Sequence, residues 1–353
     1  MPAAQPAVEL VDDGPGIIRG AATATEPVLV NPGRHGPVPA KDLNPLHTIF
    51  YMIPPERADV LRAGKIRMEL NVSRTNSLEG WRRDDGGQGL LHLETTRTEL
   101  VTRVGLGAGL EATLSIPWID RQLPVMDDFI GWVELTSWMK RMMPSRNRYQ
   151  GTAPEYEFFM PGEGLVRSSA YDAGSGDTAL SLKGKLWNEG RFLPAVSLRS
   201  SLKAPTGDWW RGFGSQTFDL AVGLSFEKAL WSWITVYGTV GGTLPFSKSP
   251  YVRPFAVGSL ALEAVISRAL SFVLQFNTTS SPFHGTKLGI LDGRDDLWIA
   301  SLNYRLPVAG NDFRLSLYAV ENVCLFPGEP WSGSAHDFTV GVNMSLEPVA
   351  RLF

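Results

Sequence analysis

A single cysteine, Cys324, in 353 residues excludes an internal disulfide and any metal centre built on several thiolates. Charge of one sign is also missing. Lys and Arg number 33 against 36 Asp and Glu, a net of −3, without the basic excess that marks a nucleic-acid-binding surface. Charged residues make up only 20% of the chain, below the roughly one quarter usual in soluble domains. A mean hydropathy near zero argues against a bundle of membrane helices but leaves a membrane β-barrel open. The uncharged stretch 229–247 is long enough to span a bilayer but wrong for a helix, because its core ITVYGTVGG alternates. Ile234, Val236, Val240 and Leu244 fall on one parity; Thr235, Tyr237, Thr239 and Thr243 fall on the other. A period of two belongs to a strand with one apolar and one polar face.

The same alternation recurs along the chain. It runs through Phe218–Phe226, Leu270–Phe276 and Phe338–Leu346, with similar runs near 65–73, 91–106, 110–118, 179–187, 194–203, 255–266, 297–306 and 313–320. About twelve strands result, most near the roughly 9–11 residues that a tilted membrane strand needs. The connections alternate as well. Short ones (107–109, 188–190, 228–233, 267–268, 308–312) are interleaved with long ones (76–89, 119–176, 206–216, 245–253, 280–296, 322–335). Short turns at one end and long loops at the other describe an outer-membrane barrel with both termini on the periplasmic side. A soluble sandwich, propeller or lipocalin-like barrel would alternate too. Against it stand a polar parity rich in Ser, Thr, Asn and Gly, and aromatics near strand ends: Trp118, Trp187, Trp231, Trp233, Trp298, Tyr304 and Phe313. The expected fold is all-β, a transmembrane antiparallel barrel spanning 64–353.

Outside the barrel, residues 1–43 are rich in Pro, Gly and Ala and read as a flexible periplasmic leader. The start MPAAQPAVEL has neither the basic nor the apolar region of a secretion signal, so a processed form is expected. Residues 44–63 are too apolar for a linker. They are a plug entering from the periplasmic side, with Phe50, Tyr51 and Ile53 inside the lumen, a short periplasmic collar, or simply part of the first strand. Asp127–Met143 has helical spacing, with Phe129, Ile130, Val133, Trp138 and Met142 on one face and Lys140 and Arg141 in the last turn. This amphipathic helix in the long external loop 119–176 is either a gate, through Phe129, Trp132 and Trp138, or a helix resting on the rim.

If the polar parity faces inward, Arg67, Glu69, Lys183, Lys185, Arg199, Lys203, Asp219, Glu227, Arg305, Arg314 and Glu347 line the lumen. An Arg or Lys turned toward mid-bilayer lipid would cost about 2–4 kcal/mol, so the inward side is preferred. Two readings stay open: charges paired across a sealed lumen, or a polar conduit with a basic wall on strands four and five. Strand two fits poorly, because Glu94 lies on one parity and Arg97, Glu99 and Arg103 on the other. Either a bulge restores its register or the strand extends above the membrane.

An enzyme reading finds little support. Of the five histidines (His35, His47, His92, His284, His336) only His92 falls on an expected strand, and no GxSxG motif is present. No catalytic residue, cofactor or metal is expected.

Three stretches together resemble a domain-of-unknown-function family of Gram-negative outer-membrane barrels: NPLHTIFYMIPPERADVLRAGKIRMELNVSRTN (44–76), LEATLSIPWIDRQLPVMDDFIGWVELTSW (110–138) and YAVENVCLFPGEPWSGSAHDFTVGVNMSL (318–346). That family is loosely akin to the phenol-degradation meta-pathway and long-chain fatty-acid transporter porins. One departure is that Pro348 interrupts the last strand before the terminal Phe353. The resemblance implies a passive outer-membrane channel or transporter for small, amphipathic or apolar molecules. The alternative is a non-conducting structural or assembly barrel acting through its loops or a partner. Expected partners are outer-membrane lipid, lipopolysaccharide and the barrel-assembly machinery, with room for an unidentified periplasmic or membrane partner and none for nucleic acid.

Overall fold

Strands immersed in lipid must find partners for every backbone N–H and C=O, and only a closed sheet leaves no edge unpaired. The computed structural model describes residues 34–41, 47–82, 88–122, 126, 155–160, 164–169, 172–286, 289–308, 311–322 and 338–348. Its strands are β1 (Ile66–Arg82), β2 (Gln88–Gly107), β3 (Leu110–Gln122), β4 (Glu155–Met160), β5 (Gly164–Ser169), β6 (Asp172–Ser175), β7 (Ala179–Trp187), β8 (Ala195–Lys203), β9 (Asp219–Trp231), β10 (Ile234–Pro245), β11 (Phe255–Val265), β12 (Leu270–Thr279), β13 (Asp295–Val308), β14 (Asn311–Asn322) and β15 (Phe338–Glu347). Twelve of them, β1–β3 and β7–β15, form one antiparallel barrel. It is closed by β1 against β15, where Asn71 faces Asn343, and by β3 against β7, where Thr113 faces Ser181. The β4–β5 hairpin continues the sheet from the long-loop end of β2, and β6 pairs with the corresponding end of β3.

The burial pattern is the reverse of a soluble barrel's. On β7, Ser181 and Lys183 are buried, whereas Leu180 and Leu182 are 59% and 48% exposed. The same inversion holds on β9, where Asp219 and Ser225 are buried while Leu220 and Val222 are exposed. An apolar outer surface and a polar interior suit lipid outside and hydrogen bonds inside. Trp187, Trp231, Trp233 and Tyr304 are exposed at the short-turn end, and Trp118 at the other. Trp187 faces outward because a register irregularity follows Lys185. Among the described residues no helix is long and apolar enough to cross a membrane.

Several boundaries differ from the sequence reading. The connection expected over 76–89 is mostly strand, since β1 runs on to Arg82 and β2 begins at Gln88. The loop expected over 119–176 contains the end of β3 together with β4, β5 and β6. The expected helix at 127–143, with Phe129, Trp132 and Trp138, lies outside the described residues. Strand two needs no bulge between Gln88 and Val104, where its pairing with β1 is continuous. Leu93, Glu94 and Thr95 are all buried, so both faces of β2 are covered at that height. There the Glu94 carboxylate accepts from Arg74, at 2.5 Å, and from the Met126 backbone N–H. Strand two therefore outruns the lipid-facing belt, and its outward-parity carboxylate meets protein.

The lumen is occupied by the protein's own chain. Residues 34–41 rise from the short-turn end, where Arg34 meets Glu189 and Glu227, past Gln275 to Asn277. At the long-loop end His47 lies 2.6 Å from Asp295. Residues 49–61 then descend past Lys203, Asp219 and Glu111, and Arg62–Gly64 close against Gly105 before β1 begins. This inner segment therefore includes residues 34–41, which the sequence reading assigned to a leader.

Candidate functional site

A chain inside a barrel has no neighbouring strand to satisfy its backbone, so the wall must do so with side chains. Gln275 bonds both the N–H and the C=O of Val38, at 2.9 and 3.1 Å, as a neighbouring strand would. Asn277 donates to Ala40 O and Thr243 to Tyr51 O. Carboxylates take the remaining donors: Glu263 accepts from the N–H groups of His35 and Gly36, Asp219 from Tyr51 N and Glu111 from Leu61 N. Glu263 also accepts from Tyr237 and Ser271, both at 2.6 Å, so this fully buried carboxylate has four donors.

Charge clamps the descending limb. The Glu56 carboxylate lies 2.9 Å from Arg103 and from Arg199, and 3.5 Å from Lys183. Glu111 pairs with Arg103 and Lys183 at 3.3 Å, and Glu69 with Arg103 at 2.7 Å. Three acids (Glu56, Glu69, Glu111) thus balance three bases (Arg103, Lys183, Arg199), as burial demands. Glu56 belongs to the inner segment rather than to the membrane-spanning wall. Burial alone would raise its pKa, but Arg199, Lys183 and Arg103 outweigh burial and bring it down to about 2. Nearer the short-turn mouth Arg57 pairs with Glu227 at 2.7 Å, and Lys185 with Asp59 at 2.9 Å. Nearer the long-loop end Lys203 meets Asp177, Asp219 and the carbonyl of Ile49.

Between these polar clamps lies an apolar contact. Phe50, Tyr51, Met52 and Ile53 pack on Ala179, Ala221, Phe255 and Val257. Phe50 meets Phe255 and Phe283 edge-on, with centroids 6.3 and 5.5 Å apart. Ile53 seats over Gly223 and Gly241, where an added Cβ would come within 3.0 and 2.5 Å of its Cδ1. Glycine there makes the depression that Ile53 fills. Among the described residues the segment leaves little space: cavities of about 110 Å³ and about 30 Å³ lie between it and the wall.

All eleven sequence-selected charges lie on the inward parity of their strands. Lys183, Arg199, Lys203, Asp219 and Glu227 are buried and meet the inner segment. Glu69 and Lys185 join it through Arg103 and Asp59. Arg67 pairs with Glu347, and Arg305 and Arg314 with Asp312, at the short-turn mouth, where Arg314 also donates to the Arg34 carbonyl of the inner segment. Phe50, Tyr51 and Ile53 are buried in the lumen. The sequence reading passed over Glu111, Glu263 and Gln275, which the same parity rule selects. It also passed over Arg103, set aside with the awkward strand two, and Glu56, for which alternation offers no signal.

A model of the family described as "Protein of unknown function (DUF3187)" matches residues 16–285. The chain belongs to this DUF3187 family. Among solved structures, the barrel is similar to the COG4313 outer membrane channel from Pseudomonas putida F1, with a TM-score of 0.53 and 11% identity over 84% of this chain and all of that one. That likeness establishes the fold, which is that of outer-membrane barrels. Weaker likenesses are to the transport unit of the autotransporter AIDA-I from Escherichia coli (TM-score 0.42, 7% identity, 86% of this chain and 95% of that one) and to a FadL homologue from Pseudomonas aeruginosa (0.38, 8%, 80% and 89%). No curated protein matches this DUF3187 chain.

Proposed function

We propose that the protein is an outer-membrane channel for small molecules, with the inner segment as its plug. The observation that carries this reading is a mismatch of bonding. The wall closes on itself through its own backbone ladder, whereas residues 34–61 are held by side chains: ion pairs, hydrogen bonds and two apolar patches, one under Phe50–Ile53 and one under Val38 and Ala40. Side-chain contacts exchange readily for water, so the plug can leave a barrel that needs nothing from it to stay closed. The patch under Phe50–Ile53 favours amphipathic or apolar solutes that replace those side chains. Lipid and lipopolysaccharide contact the apolar belt, the barrel-assembly machinery inserts the protein, and a periplasmic or membrane partner is a route to plug release. The protein acts as a transporter rather than as an enzyme.

Single-channel recording tests the reading. The full chain should be closed or nearly so, and deletion of 44–61 should produce discrete conductance steps. The little space left between segment and wall also supports the second reading, a non-conducting structural barrel that works through its loops. An unchanged conductance after the deletion favours that reading and removes the plug.

A further inference from the structure

The inner segment does not fill the lumen evenly. Three cavities lie between it and the wall around β1, β2 and β3, one above another. The lowest, about 110 Å³, lies toward the short-turn end and shares Pro39, Glu69, Arg103 and Asn343 with the next, of about 30 Å³. That one shares Lys41, Tyr51, Glu99 and Ser115 with the uppermost, of about 20 Å³, which reaches Arg97, Pro117 and Asp177 toward the long-loop end. The strand register gives the same order, with Glu69 opposite Val101, Asn71 opposite Glu99 and Ser73 opposite Arg97 in successive rows. An ion pair stands at each junction: Glu69–Arg103 at 2.7 Å below, and Lys41–Glu99 at 3.1 Å above.

We propose that this row of cavities is a water file: with the plug in place the protein passes water, and neutral solutes no larger, but not ions. The proposal rests on the reading of residues 34–61 as a plug. A cavity of roughly 10–15 Å³ on this measure already holds one water, so each of the two upper chambers holds one or two. Paired charges along the file offer donors and acceptors that keep water in place. An ion would have to shed its shell among charges that already neutralise one another, and nothing there repays that loss. The upper junction's ion pair includes the plug's own Lys41, whereas Glu69 and Arg103 below both belong to the wall, so Lys41 is the plug's control point on the file.

The test uses the full chain in lipid vesicles, with osmotic shrinkage followed by stopped-flow light scattering and ion current recorded in planar bilayers. Wild type should shrink faster than protein-free vesicles while carrying no resolvable current. Ser115→Trp, which fills the upper junction, should bring shrinkage back to the protein-free rate. Val101→Phe, in the middle chamber, is the second blocker should the first fail to fold, with folding read from the heat-dependent gel shift. Lys41→Ala should speed shrinkage. Ser259→Phe fills a further cavity of about 20 Å³ against β10–β13, which borders Lys41 and Met52 but neither Glu99 nor Ser115 of the upper junction, and should leave the rate unchanged. Wild-type vesicles no leakier than protein-free ones would overturn the file, as would folded blockers without effect. If deletion of 44–61 opens ion current but the wild type is watertight, the file falls and the plug stands. If the deletion opens no current, the plug reading falls separately, whatever the water rate.

Discussion

Glu56 anchors the plug to the wall as the inner segment's one acid among three buried cations. Removing one member of a buried, balanced set leaves a bare charge beside at most a few confined waters, at up to about 3–5 kcal/mol. Glu56→Ala should therefore loosen the descending limb by that order while the barrel stays folded. Hydrogen exchange at the Tyr51 and Leu61 amides, bonded to Asp219 and Glu111, reads the loosening directly. Unchanged protection there would show that the charges do not hold the plug. The acid response has a definite sign. A carboxyl with its pKa lowered from 4.5 to about 2 contributes stability that is full above pH 4.5 and is lost as pH falls through about 2. Plug protection should thus survive at pH 5 and fail between about 4 and 2, and the same exchange experiment across pH checks it. At this scale the sequence is a partial guide. Parity selects Arg199, Lys183 and Asp219 because a strand has only two faces. Glu56 sits in PPERADV, a segment without a period, and only its three-dimensional neighbours give it meaning.

At the scale of elements, the wall was legible and its ends were not. Alternation locates the twelve barrel strands because lipid outside and polar contacts inside impose opposite demands at every second residue. Where that contrast disappears the pattern does too. Glu94 on β2 is covered by Arg74 and Met126 rather than by lipid, so strand and loop look alike in that stretch of sequence. Turns are clearer. Gly107, Ala108 and Gly109 join β2 to β3 with φ of 89°, 48° and 75°, all in the left-handed region. Glycine accepts that region freely, but alanine does so at a cost on the order of 1 kcal/mol, and asparagine is better tolerated. Ala108→Asn should stabilise the barrel by up to that order, read as a raised urea midpoint of unfolding in detergent micelles. A lowered midpoint would mean that the turn relies on the small side chain of Ala108 instead.

For the whole molecule, the decisive relation is between a wall complete in itself and a filling that neutralises it. With the plug docked, Arg199 is buried against Glu56, and Arg199→Ala leaves the cluster with three acids and two bases in a lumen with room for only a few waters. That imbalance should cost several kcal/mol, by the logic of a broken buried pair. With residues 34–61 deleted, water enters, and the same arginine becomes a solvated wall charge worth no more than about 1 kcal/mol. The two changes are therefore non-additive, and a double-mutant cycle measures the coupling. Four proteins are compared by urea unfolding in the same detergent: wild type, Arg199→Ala, the deletion, and the two combined. All should show the heat-dependent gel shift of a closed barrel, because the twelve-strand ladder is common to them. The loss from Arg199→Ala should be large in the full chain and nearly absent in the emptied one. Equal losses in both backgrounds would mean that the wall's charges stabilise the wall itself, and the plug would then be a passenger in a barrel already balanced without it.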